Sequence, residues 1–354
     1  MSGEEDIQVI QAERMRQFCV STCKAVQLSQ EHAELLTDTL IQADLRGTHS
    51  HGVVRLPVYV KGYQTGGINL RPSIKVVKES GATAVIDGDG GLGLIVSHPA
   101  MRLAMDKASN YGVGIVTVRN SDHVGMVAYW SMLSLERDMI GYATTNASCT
   151  MAPWGGVTLS HGNNPISYAI PAGSEWPIVL DIAMSVVAKG KIRLAALKNE
   201  SIPEGWAMDE YGEPTTDAHS AIDGLLMPIA GHKGYGMALV NEIMCGVLSG
   251  GLFGVDMPKA RIMDGSRKMG YSHFFMALNI DHFIPVVEFK KRVDKLIRMM
   301  KASRLAKGQS KIYLPGEIEF ETKRIRVKEG IPYSKAIIEK LKGLAQELHL
   351  PTEF

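Results

Sequence analysis

The period of the apolar positions changes near residue 73, and the change divides the chain. Before it the spacing is helical. Residues 7–26 predict one helix. A second is expected from Ser29, a good N-cap, because Leu36, Leu40 and Ala43 fall at i, i+4 and i+7 before Gly47 ends the run. The stretch Thr48–Arg55 (THSHGVVR) follows directly, which puts its histidines at a helix exit. Gly66–Pro72 reads as a turn-rich linker.

Beyond residue 73, β-branched runs alternate with helical stretches. Ala84–Ile86, Val113–Val118, Ile140–Thr144, Ile166–Ile170, Ile178–Ile182 and Phe274–Ile280 predict strands. Ile95–Ser109, Val124–Glu136 and Lys233–Leu248 predict helices, and Val287–Ala306 and Ser334–Leu348 predict amphipathic closing helices. This alternation predicts an α/β fold with a mixed sheet. The expected division is a helical unit of residues 1–72 plus 320–354, for substrate and dimerisation, and a mixed-sheet unit of residues 73–319 that binds the cofactor.

At 354 residues and 45% hydrophobic content, the chain is long enough to bury a large core in two or three packed units. Its 38 basic and 37 acidic residues nearly cancel, so no overall field gathers nucleic acid or an anionic membrane, and neither is expected as a partner. Capture of an anionic substrate must then be local. The acidic start, MSGEEDIQVIQAERM, lacks a signal-peptide layout and no apolar run approaches the ~20 residues of a membrane span, which points to a cytoplasmic protein. Cys19, Cys23, Cys149 and Cys245 have neither metal-ligand nor disulfide-framework spacing, and no metal is expected.

One motif tempts. Gly88-Asp-Gly90-Gly-Leu-Gly93 matches the dinucleotide-binding G-x-G-x-x-G and follows a strand-like run. Asp87 and Asp89 would set negative charge beside the phosphates, however, and Val118 is followed by Arg119-Asn-Ser rather than an acidic residue. The run is therefore read as a turn.

Reversible oxidation of an alcohol by nicotinamide needs a group to exchange the hydroxyl proton and, for an acid substrate, a cation for its carboxylate. Histidine suits the first role and arginine the second. His49, Ser50, His51 and Arg55 lie within seven residues, with Tyr59 one turn beyond Arg55. The plain alternative has His49 and His51 bonding backbone at the helix exit and Arg55 as a surface charge. A second cluster, Asn120-Ser-Asp-His123-Val-Gly125, lies between a strand and a helix, where α/β enzymes place ligands; its alternative is a surface Asp122–His123 pair. Asp181 ends a strand, well placed for ribose hydroxyls, ahead of Lys189, Lys191 and Arg193. Gly231-His-Lys233-Gly-Tyr-Gly236 opens a helix and would suit a pyrophosphate, or equally close helix packing.

These segments occur in the order found in the malate/L-lactate dehydrogenase family, which includes sulfolactate, ureidoglycolate and diketogulonate enzymes. The chain resembles that family over roughly residues 10–345. The landmarks are Asp44-Leu-Arg-Gly-Thr-His-Ser-His-Gly52 with Arg55, Val113-Gly-Ile through His123, Pro153-Trp-Gly-Gly156, Gly162-Asn-Asn-Pro165, Leu180-Asp-Ile-Ala183, Ile202-Pro-Glu-Gly-Trp206, Gly231–Gly236 and Leu314-Pro-Gly-Glu317.

The resemblance implies a non-Rossmann fold binding NAD(H) or NADP(H), and a homodimer with active sites at the subunit interface. It implies interconversion of a small 2-hydroxy acid and its 2-oxo acid, with a ureidoglycolate-type dehydrogenase or a cyclic imine carboxylate reductase as alternatives. A non-catalytic nucleotide-binding protein is the reading from another class. Carried over by position, His123, or His51 with Ser50, would be the acid/base. Arg55 and Tyr59 would contact substrate, and Asp181, Ala183, Lys233, Gly234, Pro315, Gly316 and Glu317 would contact cofactor. His161, next to Gly162-Asn163, is expected near the pocket.

Overall fold

The computed structural model describes residues 7–259 and 265–353. Its centre is a seven-stranded mixed sheet, crossed in the order Lys75–Ser80, Thr83–Gly91, Val113–Ser121, Tyr271–Leu278, Ile140–Thr145, Ile166–Ile170 and Ile178–Ile182. Only Thr83–Gly91 and Val113–Ser121 pair in parallel; every other pairing is antiparallel. A Rossmann sheet is built from parallel strands, so this is the expected mixed α/β fold and not that one.

The central strands read as apolar runs because both faces are covered. Helices Gly93–Tyr111 and Val127–Leu133 lie on one face, and Val116, Val118, Phe275, Met101 and Trp130 share its core. The other face packs Tyr142, Phe274 and Met184 against Ala238 and Cys245 of the segment from His232 to Val247. The first core continues without a break into Met15, Leu36 and Leu40 of helices Ala12–Ala25 and Gln30–Leu45 and into Leu341 of helix Lys335–Glu347. Cys19 and Cys23 are buried members of it. A separate small cluster, Val187, Ile192, Ala196, Ala207, Ala221 and Leu226, holds together helices Lys189–Leu197 and Ala218–Asp223 and a three-stranded sheet.

Several elements differ from expectation. Residues 7–26 are not one helix: Ile7–Ile10 is a strand pairing with Ile331–Ser334, and the helix starts at Ala12. A partner more than 300 residues away leaves no local signal. The Ser29 cap holds, its hydroxyl accepting from the His32 amide at 3.2 Å. The helix expected from Val124 begins only at Val127, so residues 122–126 form a loop that carries His123. The closing helix ends early, at Lys301.

Candidate active site

The site grows from the exit of helix Gln30–Leu45. Asp44, buried at its last turn, accepts from the Val53 amide (2.9 Å), His49 Nδ1 (2.8 Å) and the Tyr333 hydroxyl (3.1 Å). Gly52 lies so close that a Cβ there would stand 1.9 Å from the carboxylate. His49 Nε2 accepts from Arg326 at 2.8 Å. His49 is therefore a strut between Asp44 and Arg326, holding side chains and not backbone. The strut fixes two short 3-10 turns, His49–His51 and Val53–Arg55, and these present Ser50 and His51 to a cavity.

Ser50 Oγ lies 2.9 Å from His51 Nδ1, and Arg55 Nε donates to the Ser50 carbonyl at 2.6 Å. Helix Leu56–Gln64 buries Tyr59 and aims its hydroxyl at His123 Nδ1, 2.7 Å away. That atom also accepts from the Gly125 amide at 3.3 Å. The rings of His51 and His123 stack, with centroids 5.5 Å apart and planes within 10°. Burial, reinforced by the Arg55 charge, pushes the His51 imidazole down to about 3. Asp122 is buried and accepts from the His123 amide at 2.8 Å, so it shapes the loop rather than forming a surface pair.

The cavity holds about 540 Å³. Ser50, His51 and His123 line it, with Asp181, Ala183, Pro315 and Gly316. One Asp181 oxygen accepts from the Ala128 amide at 3.1 Å. Gly316 has φ +86°, and a Cβ there would strike Val179 at 2.9 Å, so this wall is built from close backbone.

Three expected cofactor residues stand elsewhere. Glu317 is buried beneath its loop, bound to the Leu314 amide (3.1 Å) and to Lys301 and Lys311 (3.0 Å each). It holds the loop shape and does not reach the cavity wall. Lys233 is exposed outside that wall, and Gly234 is packing: a Cβ there would meet the Ile229 carbonyl at 2.0 Å. His161 is buried behind Asn163, beside Tyr235, with the ring centroids 5.4 Å apart. Arg46, Asn146, Asn163 and Glu319 do line the cavity and were not singled out from the sequence. Arg46, inside the Asp44–Gly52 run, and Asn163, inside Gly162–Pro165, were in view there only as parts of landmarks. The Gly88–Gly93 run lies off the cavity, its Asp89 accepting from Asn69 and the Ser73 amide, each at 2.9 Å.

Among the described residues, no group of three or more His, Cys, Asp or Glu side chains could hold a metal, and no helix is long and apolar enough to cross a membrane.

The stacked imidazoles of His51 and His123 open on this cavity, while Arg55 and Tyr59, which bond Ser50 and His123, are not among the residues that line it. Residues 10–342 match the family model of malate/L-lactate dehydrogenase, which makes the class a dehydrogenase. The malate dehydrogenase of Pyrococcus abyssi is 40% identical over 98% of this chain and 96% of its own length. The L-sulfolactate dehydrogenase of Methanocaldococcus jannaschii is 40% identical over 98% of both. A solved structure of sulfolactate dehydrogenase from that organism has a TM-score of 0.90, 39% identity and 98% coverage of both chains. The chain belongs to the malate/L-lactate dehydrogenase family.

Proposed function

We propose that the chain interconverts a small, doubly charged 2-hydroxy acid and its 2-oxo acid, malate or sulfolactate in type, with a nicotinamide cofactor. The observation that carries this is the state of Arg55. Its Nε is spent on Ser50, while its terminal nitrogens have no hydrogen bond or ion pair among the described residues. Arg193 of helix Lys189–Leu197, half-buried and equally without an ion pair, lies close enough for the two charges to act on each other. Two guanidinium groups within electrostatic reach of each other suit a substrate with two anionic groups better than one with a single carboxylate.

The same wall fits the cofactor. Asp181 offers a carboxylate to ribose hydroxyls, and Ala183, Pro315 and Gly316 give close backbone for a flat or diester group. Reduced nicotinamide, when bound, supplies a hydride to the 2-carbon. Arg55 orients the acid and His123 exchanges the proton at the 2-oxygen. Two stacked imidazoles do not both hold a charge, and His51 is the one kept neutral. The Tyr59 hydroxyl can accept from or donate to His123 Nδ1, so either protonation state has a partner. Gly234 contributes through packing and Glu317 through loop shape. Whether NAD(H) or NADP(H) serves is read in the assay.

The test is oxidation of NADH and NADPH with oxaloacetate, sulfopyruvate, pyruvate and a cyclic imine acid. A dianionic oxo acid should turn over with the highest kcat/KM, and Arg55→Ala should raise its KM roughly 10- to 100-fold. Equal efficiency on pyruvate, turnover of the imine alone, or an unchanged KM for every acid would overturn the assignment.

A homodimer belongs to the same proposal. From His232 to Leu248 the chain turns Met237, Val240, Ile243, Val247 and Leu248 outward, an apolar face of the kind that subunits cover. Light scattering should give the mass of two chains, and a monomer at micromolar concentration would refute it.

A further inference from the structure

Arg46 is only 4% exposed, yet it forms part of the cavity wall. Its Nε is enclosed with no acceptor, and its side chain makes no hydrogen bond or ion pair among the described residues. Arginine stays charged in proteins, so this cation has been taken out of water with only an aromatic face at contact distance. The group is also held in place. Its Cζ lies 4.4 Å from the Phe320 ring centroid, and Phe320 stacks on Trp176 at 5.1 Å with planes within 4°.

Its surroundings separate it from Arg55, which is not part of the cavity wall. Arg55 stands among Ser50, His51, Tyr59 and Arg193. Arg46 stands among Asp181, Glu319, Phe320 and Lys323. Neither of the two carboxylates comes within ion-pair distance, and Asp181 spends an oxygen on the Ala128 amide. Lys323, bound to Gln42 at 2.7 Å, adds a second positive charge nearby.

We propose that Arg46 is the phosphate anchor of the cavity, its planar fork receiving a phosphate group of the dinucleotide, while Arg55 takes the substrate. A phosphate is an acceptor-only anion whose oxygens match the guanidinium in pairs. The inference rests on the nicotinamide reading above.

The test compares wild type with Arg46→Met, which keeps an apolar stem on Phe320, by fluorescence or calorimetric titration with NADH, NADPH, ADP and adenosine. The dinucleotides and ADP should weaken roughly 10- to 100-fold, with adenosine unchanged. Equal losses for NADH and NADPH assign the bridging pyrophosphate; a loss confined to NADPH assigns the ribose phosphate. Undiminished binding of all phosphate-bearing ligands overturns the proposal, as does adenosine weakening as much as ADP. Should Arg46→Met fail to fold, Arg46→Gln, which removes the charge but keeps a polar group in place, decides by the same criterion. A wild-type protein that binds neither dinucleotide would instead sink the functional reading.

Discussion

Two parallel neighbouring strands, Thr83–Gly91 and Val113–Ser121, each run into a helix, and the two exits have opposite fates. At the first, Leu92 and Leu94 are buried, and the Asp122 and His123 carbonyls cover the helix start. A Cβ on Gly93 would lie 2.3 and 2.6 Å from those oxygens. At the second, residues 123–128 face the cavity. The exit with the dinucleotide-like glycines is the closed one. Glycine permits close approach of another backbone; it does not say whose. Here the oxygens over the helix start belong to the protein, and they belong to the loop that carries the candidate acid/base. The glycine run serves the site from behind.

The sharpest way to break this contrast is at the open exit. His123→Asn should lower kcat by about 10²- to 10⁴-fold, the range for losing a general acid/base. It also takes the acceptor from the buried Tyr59 hydroxyl, costing about 1–3 kcal/mol of stability, so the variant should fold and melt somewhat earlier. His51→Asn should lower kcat less, because that ring is held neutral by burial and by Arg55. Steady-state kinetics beside thermal melts separate the two. A deeper kcat loss in the His51 variant would exchange the roles.

How far the sequence could foretell this depends on where each signal resides. Val113–Ser121, Ile140–Thr145, Ile166–Ile170 and Ile178–Ile182 were legible because covered strands concentrate β-branched residues. The edge strand Lys75–Ser80 was not, for all six of its residues are exposed and its sequence, KVVKES, shows no alternation. Helix Glu317–Glu329 buries only Glu317, so it has no apolar stripe to read. In the site, the runs around His51 and His123 were visible as local clusters of reactive side chains. Asn146 and Asn163 come from separate loops and Glu319 from helix Glu317–Glu329, and the three meet only in the fold. The Lys233–Gly234 loop poses the same question as Gly88–Gly93, because the glycines that pack helices look like the glycines that admit phosphates. Arg46 sat in plain view, yet its lack of a partner is a property of the folded protein.

The smaller effect is expected at the closed exit, and it separates the two meanings of glycine. If Gly93 were kept for a phosphate, Gly93→Ala would weaken cofactor binding and leave stability nearly unchanged, since the methyl would enter a ligand space. In this structure the methyl meets the Asp122 and His123 carbonyls, so the loop must move or the helix start must. Overpacking of this kind costs about 1–3 kcal/mol, and the displacement passes directly to His123. Gly93→Ala should therefore melt earlier and lose kcat, while the Kd for NADH measured on the folded protein stays near that of the wild type. A weakened Kd with an unshifted melting curve would reopen the phosphate reading of the glycine run.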